Sequence, residues 1–443
     1  MNDGTAGRAE AGEAAAEQAA GAELGAAEAA AAEARRRAET APGDASVQAG
    51  LAVALSTAAS LHTRRALRAV NTPGRTGPFE EHRDRALALR REAVAAWDAA
   101  VAVAPDDATV HIGRGRALAA LGSLETGIGG DPGQGVADQR RAVEAFTESL
   151  RLSPGNAEVH TRRGALQSAI GLSQHRSGEQ ESALESYQGA LKDFQAAQEA
   201  GAPGAANLNE GGWVLVRAAS AEAALGRHGD ALTSLEGAIS LFAESRRLEP
   251  ENSFGPLSQG QAYAALGDLQ ATSTAQGGLA HAAAEDTTAL EIQRSAIHSR
   301  LQRAMASYSQ AINCLDQALA LDPSGGSVTN SVKAETLQCL AELQVAVTRP
   351  ADALATYREV LALYDGPLSV NTSSFQYQVG RGRTLLRMGE LCGHLEQPAE
   401  AAALFEAART ELSRDVAIDE PIRSERERLL ARAGRALAAL PSE

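Results

Sequence analysis

A chain of 443 residues is two or three times the size of a compact domain, so it needs either several domains or an architecture that grows by repetition. Hydrophobic residues make up 44% but aromatic ones only 3%, which argues against sheets and for closely packed helices rich in Ala and Leu. A formal charge of -15 repels phosphate polymers and anionic headgroups, and no stretch approaches the roughly eighteen apolar residues of a spanning helix, so neither nucleic acid nor membrane insertion is expected.

Cys314, Cys339 and Cys392 are odd in number and far apart, which fits reduced thiols better than a disulfide framework. The start of the chain lacks the apolar core of a signal peptide, and the expected location is cytoplasmic. Lys192 and Lys333 are the only lysines, a bias towards Arg that is expected of a high-GC bacterial genome.

Residues 1–40 are an Ala/Glu tract with Leu24 as the only large aliphatic, read as an N-terminal helix or partly disordered segment. Its acidic start and its Arg35 to Arg37 finish suit a helix dipole. Repeats begin after it. Three segments share one frame: Pro105, Pro154 and Pro250 are each followed ten residues later by Gly (Gly115, Gly164, Gly260) and seven after that by Gly again (Gly122, Gly171, Gly267). The first two also share Val-His-x-x-Arg-Gly, from Val110 and from Val159.

Reading back from Pro105, Pro154, Pro250 and Pro323, an Ala lies twelve residues earlier (Ala93, Ala142, Ala238, Ala311) and a large apolar residue eight earlier (Trp97, Phe146, Phe242, Leu315). A small residue lies five earlier (Ala100, Ser149, Ser245, Ala318) and an aliphatic two earlier (Val103, Leu152, Leu248, Leu321). The offsets predict an amphipathic helix that each proline stops. Weaker copies keep the spacing at Ala183, Tyr187 and Ala190, at Ala231, Leu235 and Ala238, at Ala353 and Tyr357, and at Ala401, Phe405 and Ala408. One run, Ala304, Tyr308, Ala311, Leu315 and Ala318, points to longer helices.

In these residues the chain resembles the tetratricopeptide repeat (TPR), over roughly residues 45–412. The resemblance implies an all-α fold: a right-handed α-solenoid of about seven helical hairpins over residues 41–415, with small residues at the helix crossings. Taking Gly226 and Ala231, five apart, as the short hairpin, the gaps Gly122 to Ala142, Gly171 to Ala183 and Gly267 to Ala311 read as elongated hairpins with projecting tips. Pro73, Gly74 and Gly77 break one such tip and Gly127 to Gly135 another. Residues 416–443 read as a capping helix, with Ile422, Leu429, Leu430, Leu437 and Leu440 on one side.

No phosphate-binding loop, zinc motif or nucleophile elbow occurs, so no enzyme activity, cofactor or metal is expected. Gly113, Gly115 and Gly122 are read as crossing points of paired helices rather than a nucleotide cradle. His111 and His160 occupy equivalent places in adjacent repeats and are read as half-buried packing residues, since neither has a second metal ligand within helical reach. Tyr263, Tyr308 and Tyr357 fall on the apolar stripe.

In proteins with this repeat the first helices line a groove, and the resemblance assigns to it Ile112 and Arg116, Thr161 and Ala165, Leu257 and Gln261, and Leu386 and Glu390. Members that bind heat-shock chaperones grip a C-terminal carboxylate with Lys and Asn, and this set contains neither. The expected function is a non-catalytic scaffold or adaptor that binds protein segments through the groove and the hairpin tips. The alternative is a regulatory receptor that senses a peptide or small ligand and acts on a separate effector.

Overall fold

The computed structural model describes residues 3–70, 76–128, 130–201, 204–279, 287–324, 326–371, 375–414 and 420–439. The chain forms two compact units, Met1–Pro203 and Gly204–Glu443. The first holds α1 (Asp3–Thr40), α2 (Ala45–Val70), α3 (Thr76–Val103), α4 (Ala108–Gly127), α5 (Pro132–Leu152), α6 (Ala157–Arg176) and α7 (Gln180–Glu199). The second holds α8 (Ala205–Ala224), α9 (His228–Leu248), α10 (Phe254–Leu279), α11 (Thr287–Leu321), α12 (Gly326–Ala346), α13 (Pro350–Asp365), α14 (Phe375–His394), α15 (Pro398–Leu412) and α16 (Glu420–Ala439). Among the described residues there is no strand. Six successive pairs, α2/α3, α4/α5, α6/α7, α8/α9, α10/α11 and α14/α15, pack most closely, and with α12/α13 the described residues form seven helical hairpins.

The four prolines stand between hairpins. Pro105 follows α3, Pro154 follows α5, Pro250 follows α9 and Pro323 follows α11, each two residues past the helix end. A proline cannot supply the next helical hydrogen bond, and an Asx cap then restarts the chain: Asp107 accepts from the Thr109 amide, and Asn156 from that of Val159. His111 and His160 brace these joints by donating from Nε2 to the carbonyls of Pro105 (2.7 Å) and Pro154 (3.0 Å).

The second helices of all seven hairpins follow one spacing: a small residue, a bulkier one four later, an Ala three later (Val360 on α13) and a bulky one four after that. Ala86, Gly135, Ala183, Ala231, Ala304, Ala353 and Ala401 open it, and all are buried. At 100° per residue these offsets stay within about 60° of one another, which makes one narrow stripe. The aliphatics two before each proline do not belong to it. They lie roughly 100° round the helix in its last turn, and Val103, Leu248 and Leu321 are exposed.

Five of the seven first helices, α4, α6, α8, α10 and α14, meet this stripe with glycine. Gly115 faces Phe146, Gly171 faces Tyr187, Gly212 faces Phe242, Gly267 faces Tyr308 and Gly389 faces Phe405, and a Cβ at any of the five would come 2.6–2.7 Å from the ring. Gly226 is no counterpart of these. It sits in the turn between α8 and α9 at φ 75°, a conformation that favours glycine, and Ala219 takes the crossing site.

That assignment corrects the expected hairpin lengths. Gly171 and Ala183 belong to a short hairpin joined by Ser177 to Glu179, and the helices of five hairpins are 15–21 residues long. The elongated ones are α2/α3 (26 and 28 residues) and α10/α11 (26 and 35), whose connections at 71–75 and 280–286 lie outside the described residues. Pro73 and Gly74 fall there. The stretch Gly127 to Gly135 does hold the break between two helices: α4 ends at Gly127 and Pro132 opens α5, where Asp131 accepts from the amides of Gly133 and Gln134.

Two flanking helices cover hairpin faces. Leu24, Ala31 and Ala38 of α1 are buried, and Ala31 and Ala38 join the α2/α3 core cluster. On α16, Ala433 is fully buried in the α14/α15 core, with Leu429 and Leu437 packed beside it. Arg432 donates to both carboxylate oxygens of Glu390 (2.6 and 2.7 Å).

The crossings and the α1 contact both make testable demands. Gly212→Val forces a side chain into Phe242 and is expected to lower stability by about 1–3 kcal/mol, read as a shifted denaturant midpoint; Gly25→Ala, with nothing within 4 Å, leaves it unchanged or raised. Between α1, α2 and α3, buried His62 donates from Nε2 to Glu28 (3.2 Å) and accepts at Nδ1 from Nδ1 of His82 (3.0 Å). Burial, then the neighbouring His62 and Arg65, hold the His82 pKa below its ordinary 6.5. A depressed pKa contributes stability above the ordinary value that is lost as pH falls through the lowered one. The thermal midpoint of the chain therefore falls more steeply below 6.5 than that of His82→Leu.

Candidate partner-binding groove

Within the first unit, α2 and α4 flank a cavity of about 550 Å³ whose floor is supplied by α3. From α2 come Val53, Ser56, Thr57 and Ser60, and from α4 Thr109, Ile112, Gly113, Arg116, Ala117 and Ala120. The three α2 hydroxyls facing it donate to carbonyls four residues back, at 2.8–3.0 Å, which leaves them as acceptors only. Val53 is 56% exposed at the rim. The volume is that of a typical ligand pocket.

The floor consists of Arg90 and Trp97. Trp97 can lie there because Gly113 has no side chain, and the indole occupies the space a Cβ would need. Next to it Arg114 donates from Nε to Asp98 (2.6 Å), and Gly115 receives Phe146. The Gly-Arg-Gly of α4 thus locks two neighbouring second helices. Gly380, Arg381 and Gly382 repeat the device on α14 against Tyr364, Asp365 and Leu412. Both glycine pairs are packing devices.

Arg90 is less well provided for. Its Nη2 donates to Ser60 Oγ at 3.3 Å, its Nε is buried without an acceptor, and among the described residues no carboxylate pairs with it. Burial alone pushes its pKa down. The other helices fill the same stripe position with Gln139, Tyr187, Leu235, Tyr308, Tyr357 and Phe405.

Of the residues assigned to the groove from sequence, Ile112 and Arg116 line this cavity. Arg116 also reaches Glu158 on α6 (2.6 Å). Thr161 is half-buried and Ala165 exposed on α6, one turn apart, in the same unit. Leu257 and Gln261 are half-buried on α10 of the second unit. Two assignments need correction. Leu386 is fully buried in the α14/α15 core, and Glu390 is held by Arg387 and by Arg432 of α16. The Gly-Arg-Gly register shows why: the α14 counterparts of Ile112 and Arg116 are Val379 and Arg383, seven residues earlier.

Sequence reasoning missed Arg90, Val53, Ser56, Thr57 and Ser60. The readable signal was a cation at a stripe position that is elsewhere bulky or amide-bearing. The α2 residues needed the helix pairing itself.

The remaining reactive side chains are subdued. Burial raises the pKa of Cys339 to about 11 and those of Cys314 and Cys392 above the ordinary thiol value, which suppresses the nucleophilic thiolate. Tyr308 donates to Asp268 (2.5 Å), and burial raises the pKa of both. Among the described residues no group of three His, Cys, Asp or Glu side chains is placed to hold a metal, and no helix is long and apolar enough to cross a membrane.

No protein-family model and no curated protein matches this chain. Solved structures similar to it include YrrB, a TPR protein with an unusual peptide-binding site (14% identity, 61% of this chain and 93% of that one, TM-score 0.32). Others are the S. pombe nuclear import adaptor Nro1 (11%, 73% and 99%, TM-score 0.42) and Acl4, an assembly chaperone of RpL4 (17%, 75% and 97%, TM-score 0.40). Likenesses this weak decide nothing about the activity of this chain.

The uncompensated guanidinium predicts a trade of stability for a site. Arg90→Met keeps the length of the side chain and removes the charge, so the denaturant midpoint of the chain rises, by about 1 kcal/mol in stability.

Proposed function

We propose that this protein is a non-catalytic scaffold or adaptor that binds a segment of a partner protein along the first helices of its hairpins, with the α2/α4 cavity as the principal contact. One observation carries the reading: of the seven second helices, α3 is the one whose two bulky stripe positions, Arg90 and Trp97, are not buried, and with Val53 and Ile112 they line the cavity between α2 and α4. Apolar walls with a few fixed polar groups are how folded proteins grip a peptide. Thr161 and Ala165 extend the same set of first-helix positions in the first unit, and Leu257 and Gln261 are their equivalents in the second. A cytoplasmic setting is in keeping with three unpaired cysteines.

The second reading, a receptor that senses a small ligand, has the same cavity in its favour, since 550 Å³ would accommodate a metabolite. The two differ in what is lost on mutation. Proximity labelling in cells with the intact chain, repeated with Val53→Glu and with Ile112→Glu, is expected to lose a defined set of partner proteins, while circular dichroism stays that of the folded chain. Unchanged labelling in both variants, with a metabolite extract stabilising the purified protein, would favour the receptor.

A further inference from the structure

We infer that the α2/α4 cavity receives an acidic side chain, an Asp or Glu flanked by aliphatic residues in a partner protein, and that Arg90 is its ion-pair partner. The inference rests on the scaffold reading and specifies the chemistry of its site.

The first argument compares the seven hairpins with one another. At the Arg90 position the other six second helices carry Gln139, Tyr187, Leu235, Tyr308, Tyr357 and Phe405, none more than 5% exposed. Seven residues on, Trp97 is the one member of its own set that is half-buried where the other six are buried. Both bulky positions of α3 therefore open into the same space.

The second argument is electrostatic. The charged groups lining the cavity are Arg90 and Arg116, and no carboxylate is among the lining residues. Arg116 is engaged at the rim by Glu158, whereas the described partner of Arg90 is the neutral Ser60 hydroxyl. In a chain of formal charge -15 this is a local positive site. A guanidinium presents a planar fork that a carboxylate matches with two parallel hydrogen bonds, and the partial burial of Arg90 weakens the competition from water. An amide of the same shape cannot neutralise it.

The apolar part of the lining sets the flanks. Val53, Trp97, Ile112 and Ala117 offer aliphatic and aromatic surface on both sides of the guanidinium, and Val53 carries that surface out of the cavity on to the exposed face of α2. A free small acid would leave that apolar rim in water. A peptide segment covers it.

The test uses the full chain labelled with 5-fluorotryptophan, whose two 19F resonances report Trp97 in the cavity and Trp213 elsewhere, assigned with Trp213→Phe. The probes are two pools of acetylated, amidated hexapeptides with aliphatic flanks, one with Asp or Glu at the centre and one with the isosteric Asn or Gln, together with hexanoate. The acidic pool is expected to shift the Trp97 resonance at concentrations about tenfold or more below those the amide pool needs. Trp213 stays in place, and the preference disappears in Arg90→Met, with Arg90→Lys weakened in between. Equal responses to the two pools, an acid preference that survives Arg90→Met, a hexanoate response matching that of the acidic pool, or no Trp97 response would each overturn the inference. If partner labelling is still lost in Val53→Glu and Ile112→Glu, the scaffold reading stands without it.

Discussion

The close approach of two helices at a small residue, glycine in five of the seven hairpins, is the contact on which the packing depends. The protein has fifteen aromatic residues, seven Phe, six Tyr and two Trp, and seven of them lie within 3.0 Å of where a glycine Cβ would be. In helices made largely of Ala, a ring set into a glycine notch fills these crossings, while α2 and α12 meet their partner helices with Ala52, Ala59 and Ala341 instead. The stripe that does this is narrow, so most of each helix surface remains free. Much of that surface carries Arg–Glu pairs three residues apart, such as Arg36 with Glu33, Arg151 with Glu148 and Arg409 with Glu406, which are exposed and contribute little to stability.

Hairpins that touch only their neighbours need something at each open face. The α16 helix meets that need by imitation. Arg116 on α4 reaches Glu158 on the next first helix, 42 residues along, and Arg383 on α14 reaches Glu425 on α16 across the same 42 residues. The second contact sits at the matching place in the Gly-Arg-Gly register, so α16 occupies the position of a further first helix. Its inner side supplies Ala433, Leu429 and Leu437, while the rest is rich in Arg and Glu. The ion pair of Arg432 with Glu390 follows from that substitution.

The parts of this architecture that were legible in the sequence are those with one physical cause. A proline two residues past a helix end can only interrupt it, and the four prolines did mark the joints between hairpins. Spacings of four and three residues on one face can only be a stripe. Glycine has two causes, and it misled. Gly226 is there for its positive φ, whereas Gly171 and Gly267 are there to admit a ring, and a single sequence does not separate the two. The slip on α14 has a similar origin: seven residues turn a helix through almost two full turns, so setting Leu386 and Glu390, in place of Val379 and Arg383, beside Ile112 and Arg116 kept the face while moving the assignment about 10 Å along the axis. Leu386 thus looked like a groove residue and is a core one.

A polar residue at a bulky stripe position does not by itself open a site. On α5 the same place holds Gln139, which is 5% exposed and packed against Gly122, so the volume is filled. What differs on α3 is the opposing helix. There α2 presents Ser56 and Ser60, whose short side chains bend back to their own backbone and leave the space in front of Arg90 empty. A long cation above a row of short hydroxyls gains too little packing to account for the cost of burying its charge, whereas the other six second helices bury the side chain at this position. The combination is intelligible as the vacant half of a contact, completed when a group of opposite charge enters from outside.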